Sequence, residues 1–254
     1  MTHAGHPGMG DDEHDRWMDE AIGLARGMLG RAWPNPSVGC VIVRNGEVVG
    51  RGQTQPGGRP HAERVALDDA GALARGAALY VTLEPCCHWG KTPPCADAII
   101  AAGIRSVRAA LQDPDPRVNG GGFAKLREAG IAVEVGRREA AARAILEGFF
   151  TRVAVGRPLI TAADRAPASG AVPDFYDAAL TVRQDGLVAV TRSADGGTSR
   201  LHLPGHLSPL EVAEELGKLG LTTVLLHLPE AGAGTPCARA WQASGAIDRA
   251  ISPV

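Results

Sequence analysis

The chain has 254 residues, with 26 Lys and Arg against 28 Asp and Glu and a formal net charge of -2. That balance, without any cluster of basic and aromatic residues, leaves no electrostatic footprint for nucleic acid, so a small-molecule partner is expected. No apolar run approaches the roughly 20 residues of a membrane span, and Met1 to Asp12 lacks the order of a secretory signal. With three of five cysteines packed between Cys86 and Cys95, the composition predicts a cytoplasmic protein with no membrane partner.

At about 150 residues per domain, two domains are expected. Residues 1–11 are aperiodic and read as a loose tail, in which His3 and His6, like His14 just beyond, lack the fixed geometry of a metal site. Trp17, Ala21, Leu24 and Met28 recur at helical spacing, predicting a helix over Glu13–Leu29. Trp33-Pro34-Asn35-Pro36 ends it, and Val38–Val43 is a buried-strand run. Asn45-Gly46 then predicts a hairpin to a return strand over Val48–Gln53. Asn35, held between two prolines, suits a rigid substrate contact and a plain turn equally well.

Ala62–Ala74 carries a helical pattern that puts His61 and Glu63 in its first turn, where the helix dipole favours a bound or developing anion. The strand Ala78–Leu83 delivers Glu84-Pro85-Cys86 at its C-terminal end, and Pro93-Pro94 opens a helix over Cys95–Ala102. A strand (Ser106–Leu111), a helix (Phe123–Ala129), a strand (Ile131–Val135) and a helix (Glu139–Phe150) follow. This alternation predicts a three-layer α/β/α domain with a mixed sheet over residues 12–150.

Residues 151–254 form a second, smaller α/β segment. Pro158–Thr161 is a short strand, while Ala163–Ala178 gives no periodic signal. Leu180–Val182 and Leu187–Thr191 flank a hairpin turn. Ser208 and Glu211 form a capping box for a helix to about Leu219, followed by a strand over Thr222–Leu228, a short helix over Cys237–Ala243 and a strand at Ala250-Ile251.

His61, Cys86 and Cys95 offer one imidazole and two thiolates, the three protein ligands of a catalytic zinc that keeps a fourth position for water. His61-Ala62-Glu63 is the H-x-E of zinc deaminases, in which the glutamate is the general acid and base and not a ligand. The second half of that signature departs from the usual P-C-x-x-C, because eight residues, Cys87 to Pro94, separate Cys86 from Cys95. Ligand chemistry alone leaves a closed structural zinc site open as a reading, although adjacent Cys86 and Cys87 seldom bind one ion together and a structural site has no use for Glu63. Cys40 and Cys237 read as buried small hydrophobes.

The run LEPCCHWGKTPPC, with PHAE before it and QDPDPRVNGGG after it, resembles the deaminase half of the bifunctional pyrimidine deaminase/reductase family of riboflavin biosynthesis, and the likeness covers residues 13 to 150. The resemblance implies a cytidine-deaminase-like fold, one Zn2+ per chain on His61, Cys86 and Cys95, and Glu63 as the catalytic proton carrier. The implied reaction is hydrolysis of 2,5-diamino-6-(5-phosphoribosylamino)pyrimidin-4-one to 5-amino-6-(5-phosphoribosylamino)uracil and ammonia. It further implies pyrimidine contacts by Asn35, His88 and Asp113, with Lys91 on the phosphate and Thr54 and Thr92 among the substrate-binding residues. Thr54 stands where many members have a histidine seven residues before the metal histidine, and Asp115 departs from their DPNP run, so both bear on substrate choice. A deaminase of another small aminated heterocycle and a non-catalytic assembly partner are the competing readings. The second half resembles part of a dihydrofolate-reductase-like fold, truncated. Gly156-Arg157-Pro158 and Leu180-Thr181-Val182-Arg183 survive, whereas Ala162-Ala163-Asp164-Arg165 and Pro229-Glu230 replace the family's motifs. The expectation is no NADPH and no reductase activity, against a bifunctional alternative, with a possible homo-oligomer formed through this half.

Overall fold

The structure is a computed structural model that describes residues 10–90, 92–163, 171–183, 186–228 and 235–251. Two compact units emerge, and neither is one continuous stretch. The first comprises residues up to Gly27, Val38–Gln53 and Pro60–Ala144, and the second Met28–Ser37, Thr54–Arg59 and residues from Ile145 onward.

The first unit is built on a five-stranded sheet in the order β2-β1-β3-β4-β5. Its strands are β1 (Gly39–Arg44), β2 (Glu47–Gln53), β3 (Ala78–Val81), β4 (Ser106–Ala109) and β5 (Ala132–Val135). β1 is antiparallel to β2 and β3, while β3, β4 and β5 run parallel, so the sheet is mixed as expected. The hairpin turn is Asn45-Gly46, both with positive φ, which is the stereochemistry such a turn requires.

Pairing fixes which face each residue takes. Cys40 sits opposite Gly52 and Ile42 opposite Gly50, so these four share one face, while Gly39, Val41 and Val43 point to the other. α1 (Asp11–Arg26) lies on the second face, where a Cβ on Gly39 would stand 1.9 Å from the Ala21 carbonyl oxygen. α2 (Ala62–Ala70) lies on the first, where a Cβ on Gly50 would meet Ala66 O at 2.3 Å. Helices on both faces make the three layers. α3 (Cys95–Ala102) packs beside α2, α4 (Gly121–Glu128) beside α3, and α5 (Glu139–Val155) starts in this unit and ends in the other.

Several helix boundaries differ from expectation. α1 runs over Asp11–Arg26 instead of Glu13–Leu29, with Gly27 as its C-cap. α2 stops at Ala70 instead of Ala74, because Gly71 takes φ +50 and the chain tightens into a 3-10 turn over Gly71–Ala74. α4 begins two residues early, at Gly121. α5 runs five residues past Phe150 to Val155, since nothing in Thr151–Val155 breaks a helix before Gly156, which has φ +76. His14, grouped with the tail by its sequence neighbours, belongs to α1 and is buried, its Nδ1 2.7 Å from the Tyr80 hydroxyl. His3 and His6 lie outside the described residues.

The second unit carries a six-stranded sheet in the order β11-β6-β10-β7-β8-β9. These strands are β6 (Leu159–Ala163), β7 (Ala178–Arg183), β8 (Gly186–Arg192), β9 (Thr198–Leu201), β10 (Thr223–His227) and β11 (Arg249–Ile251). The four strands from β11 to β7 are parallel, and β8 and β9 add on antiparallel. α6 (Pro209–Lys218) and α7 (Pro236–Ala243) bring Val212, Leu216, Ala238 and Trp241 into one apolar cluster with Ile160, Leu180, Val224 and Leu226. The Ser208–Glu211 capping box is present, with Ser208 Oγ accepting from Glu211 N. β9 was not expected: Thr198-Ser199-Arg200-Leu201 is mostly exposed at a sheet edge and shows no apolar alternation. Among the described residues no helix is long and apolar enough to cross a membrane.

Candidate active site

His61 is the N-cap of α2, extended at φ -69 and ψ 157, and Glu63 occupies the second helical position, where its side chain is buried at 4 % exposure. The helix comes this close to the sheet because β2 presents glycine beneath it: a Cβ on Gly52 would stand 2.1 Å from Ala62 O. Cys86 follows β3 through the Leu83-Glu84-Pro85 segment, and Cys95 opens α3. Two backbone bonds lock that helix start onto the Cys86 residue. Cys95 N donates to Cys86 Sγ at 3.3 Å and Ala96 N to Cys86 O at 3.1 Å.

The three donor atoms converge. His61 Nδ1 is 3.7 Å from Cys86 Sγ and 3.5 Å from Cys95 Sγ, and all three lie within 4.8 Å of one another. Bond lengths of about 2.3 Å to sulfur and about 2.0 Å to nitrogen place nitrogen and sulfur on a tetrahedral zinc about 3.6 Å apart. The donor set fits Zn2+ in both element type and separation. The hydrogen bond from Cys95 holds the Cys86 thiol down at about 4, and the same bond pushes the Cys95 thiol up. A thiolate is the form that binds metal.

Burial pushes the Glu63 carboxyl up to about 7, against the pull of His61. A carboxyl that changes charge near neutral pH is suited to accept and return a proton. Cys40, opposite Gly52 on the same face, is fully buried, and burial together with Glu63 pushes its thiol up, so it is an inert packing residue here.

Asp113, in the loop after β4, is 7 % exposed, and burial pushes its carboxyl up to about 6, with Glu84 and Cys86 adding like charge. Asp113 Oδ1 accepts from Asp115 N at 2.8 Å, while the Asp115 carboxylate is taken by Arg117 through Nε at 2.9 Å and held below its ordinary range. Asp115 is thus neutralised by its own neighbour. His88 is half-buried, and its Nδ1 has no hydrogen-bond partner among the described residues. Thr92 is exposed, its carbonyl receiving Gly90 N at 3.4 Å, and Lys91 lies outside the described residues. Asn35 and Thr54 belong to the second unit. There Asn35 Nδ2 donates to Gly58 O at 2.7 Å and Thr54 Oγ1 to Pro36 O at 2.9 Å.

Two features at the site went unread in the sequence. The first is the glycine pair Gly50 and Gly52, which reads as weak strand until the helix above it is seen. The second is Glu84, buried at 3 % exposure, whose carboxylate accepts four backbone N–H groups: Asp113 at 3.2 Å and Gly120 at 3.0 Å on Oε2, Gly122 at 2.9 Å and Phe123 at 3.2 Å on Oε1. The signal was the run Asn119-Gly120-Gly121-Gly122, whose bare amides need an anion.

One imidazole and two sulfurs at a common point, beside a buried glutamate at a helix start on an α/β/α sheet, define the class: a zinc-dependent deaminase. Residues 11–111 match the cytidine and deoxycytidylate deaminase zinc-binding region. The chain is 52% identical over 145 residues to the riboflavin biosynthesis protein RibD of Aquifex aeolicus, covering 57% of this chain and 41% of the relative. It is 46% identical over 142 residues to the diaminohydroxyphosphoribosylamino-pyrimidine deaminase of Buchnera aphidicola, covering 56% of this chain and 97% of that protein. Acinetobacter baumannii RibD superposes with a TM-score of 0.72 at 28% identity, over 96% of this chain and 88% of that one. The chain belongs to the riboflavin-pathway pyrimidine deaminase family, with a second domain that resembles a reductase-like α/β domain. It matches only about two fifths of the length of the RibD relatives from Aquifex aeolicus and Escherichia coli, 41% and 40%.

Proposed function

We propose that this chain is a zinc-dependent hydrolase that removes the 2-amino group of 2,5-diamino-6-(5-phosphoribosylamino)pyrimidin-4-one, giving 5-amino-6-(5-phosphoribosylamino)uracil and ammonia. The observation that carries this reading is the convergence of His61 Nδ1, Cys86 Sγ and Cys95 Sγ next to the buried Glu63. The Buchnera relative's name supports the substrate.

Bound zinc would lower the pKa of a water to near 7 and so supply a nucleophile at neutral pH. His61, Cys86 and Cys95 would hold it. Glu63 takes a proton from the attacking water and delivers it to the ring nitrogen as the C–O bond forms. It then carries the proton of the newly added hydroxyl to the amino group, so that the C–N bond breaks, ammonia leaves and the ring carbon becomes a carbonyl. One carboxyl poised near 7 serves both directions, work that contributes on the order of 10² to 10⁴ in rate. Asp113, His88 and Asn35 contact the pyrimidine, Lys91 receives the phosphate, and Thr54 and Thr92 are further substrate-binding residues. The buried Asp113 carboxyl and the Nδ1 of His88, which has no hydrogen-bond partner among the described residues, support the pyrimidine assignments.

The deaminase unit spans residues 12–150, and the segment 151–254 serves packing and self-association in a cytoplasmic homo-oligomer, without NADPH-dependent reduction. Pro229-Glu230, where the family has a glycine pair, supports the last point, although it lies outside the described residues. The deciding measurement is zinc content together with ammonia release from the phosphoribosylamino pyrimidine, with cytidine and guanine as comparison rings. Release from cytidine or guanine alone would reassign the substrate, and NADPH consumption with the deaminated product would restore the bifunctional reading.

A further inference from the structure

The loop that carries Asp113 is joined to the metal-ligand segment mainly through the side chain of Glu84, beside a longer contact from Cys87 Sγ to Arg117 O at 3.6 Å. Glu84 lies two residues before Cys86, and its own N–H is held by Leu111 O at 2.9 Å. Its carboxylate reaches across to a cup of amides formed by Asp113, Gly120, Gly122 and Phe123, the last three at the start of α4. Gly120 makes that cup with φ +92, and Gly122 admits the Cys86 segment closely, since a Cβ there would stand 2.0 Å from Pro85 O. A helix N-terminus with bare glycine amides is an anion site; here the protein's own carboxylate fills it. Oε2 takes the Asp113 amide while Oε1 takes those of Gly122 and Phe123, so this one carboxylate ties Asp113 and the start of α4 to the segment that carries Cys86.

We propose that Glu84 is a positioning residue for substrate, acting through Asp113: by occupying the amide cup it holds the Asp113 backbone in register with the metal-ligand segment, and so sets where the pyrimidine is gripped. This rests on the function proposed above, which gives Asp113 its contact with substrate. Glu84 touches neither the donor set nor the reacting atoms, so its loss leaves zinc in place and weakens substrate binding. A merely structural carboxylate would lower stability and zinc together, without singling out KM.

The test is Glu84→Gln in the full zinc-loaded chain, where an NH2 would face amide donors in place of one oxygen. Misplacement on the order of 1 Å costs up to about 100-fold, so kcat/KM is expected to fall about 10- to 100-fold, carried by KM, with zinc still at about one per chain. In a double-mutant cycle with Asp113→Asn, adding Glu84→Gln should change KM by less than about twofold, because the contact it positions is already gone. Hydrogen exchange at the amides of Asp113, Gly120, Gly122 and Phe123 should accelerate in Glu84→Gln. Effects on KM that multiply in the cycle, loss of zinc, or unchanged KM would overturn the proposal. If Glu84→Gln does not fold, Glu84→Asp, which keeps the charge but falls short of the cup, is read by the same three measurements. Wild-type protein that releases no ammonia from the pyrimidine defeats the function instead, and the exchange experiment then still decides whether Glu84 fixes the Asp113 loop.

Discussion

A Cβ on Gly52 would stand 2.1 Å from the carbonyl oxygen of Ala62, so β2 and α2 meet backbone to backbone one residue from His61. Any side chain there pushes the helix start, and with it His61 and Glu63, away from Cys86 and Cys95. Gly52→Ala is therefore expected to destabilise the protein by about 1–3 kcal/mol, the usual cost of overpacking. Zinc affinity should fall with it. Denaturation midpoints and zinc titration check this, and a variant with unchanged zinc affinity would disconnect the glycine from the site.

Glu63→Gln keeps the volume and removes the base. Zinc should stay bound, because Glu63 is not among the converging donors. Turnover should drop by about 10² to 10⁴. Metal analysis beside single-turnover ammonia release gives the answer; a zinc-loaded variant working within tenfold of wild type would remove Glu63 from the chemistry.

The metal ligands and the buried bystander cysteine should separate cleanly. Cys86→Ser and Cys95→Ser are expected to lose zinc and to show the lowered melting temperature that a chelator produces in wild type, because binding to the native state alone is stabilising. Cys40→Ala should keep zinc despite its complete burial. Zinc loss from the Cys40 variant would mean that the donor set had been misassigned.

Asp113 makes a signed prediction with pH. Its carboxyl is raised from 3.8 to about 6, so between those values the folded chain keeps a proton that the unfolded chain gives up. Stability therefore falls as pH rises through that window, by at most about 3 kcal/mol, and the cost persists above it. Asp113→Asn should be more stable than wild type at pH 8, with the gain vanishing below about pH 4. Urea midpoints across pH 3–8 test the sign; a gain confined to low pH would contradict it.

In the second unit, Ser208→Ala removes the Oγ that accepts from Glu211 N and should cost about 1 kcal/mol. Zinc content should not change, which a melting curve and metal analysis on one sample would establish.

Much of the site was legible in the linear chain, because its chemistry is declared by residue type at short spacing: His61-x-Glu63, Pro85-Cys86, and Pro94-Cys95 at a helix start. Periodicity likewise marked the strands of the first sheet and the helices that cover it. β9 escaped because an exposed edge strand needs no apolar alternation, and the end of α2 at Ala70 was missed because the pattern continues through Gly71 while the backbone does not. What the chain settled by itself is thus which atoms can bind zinc and carry protons, properties of single side chains and their near neighbours. Register and through-space packing settled the rest: the face that Cys40 shares with Gly52, the burial that lifts Glu63 to about 7, and the amides 29 to 39 residues away that Glu84 gathers. Each depends on which backbone groups are brought together across the sheet, and pairing between distant segments leaves no trace in local spacing.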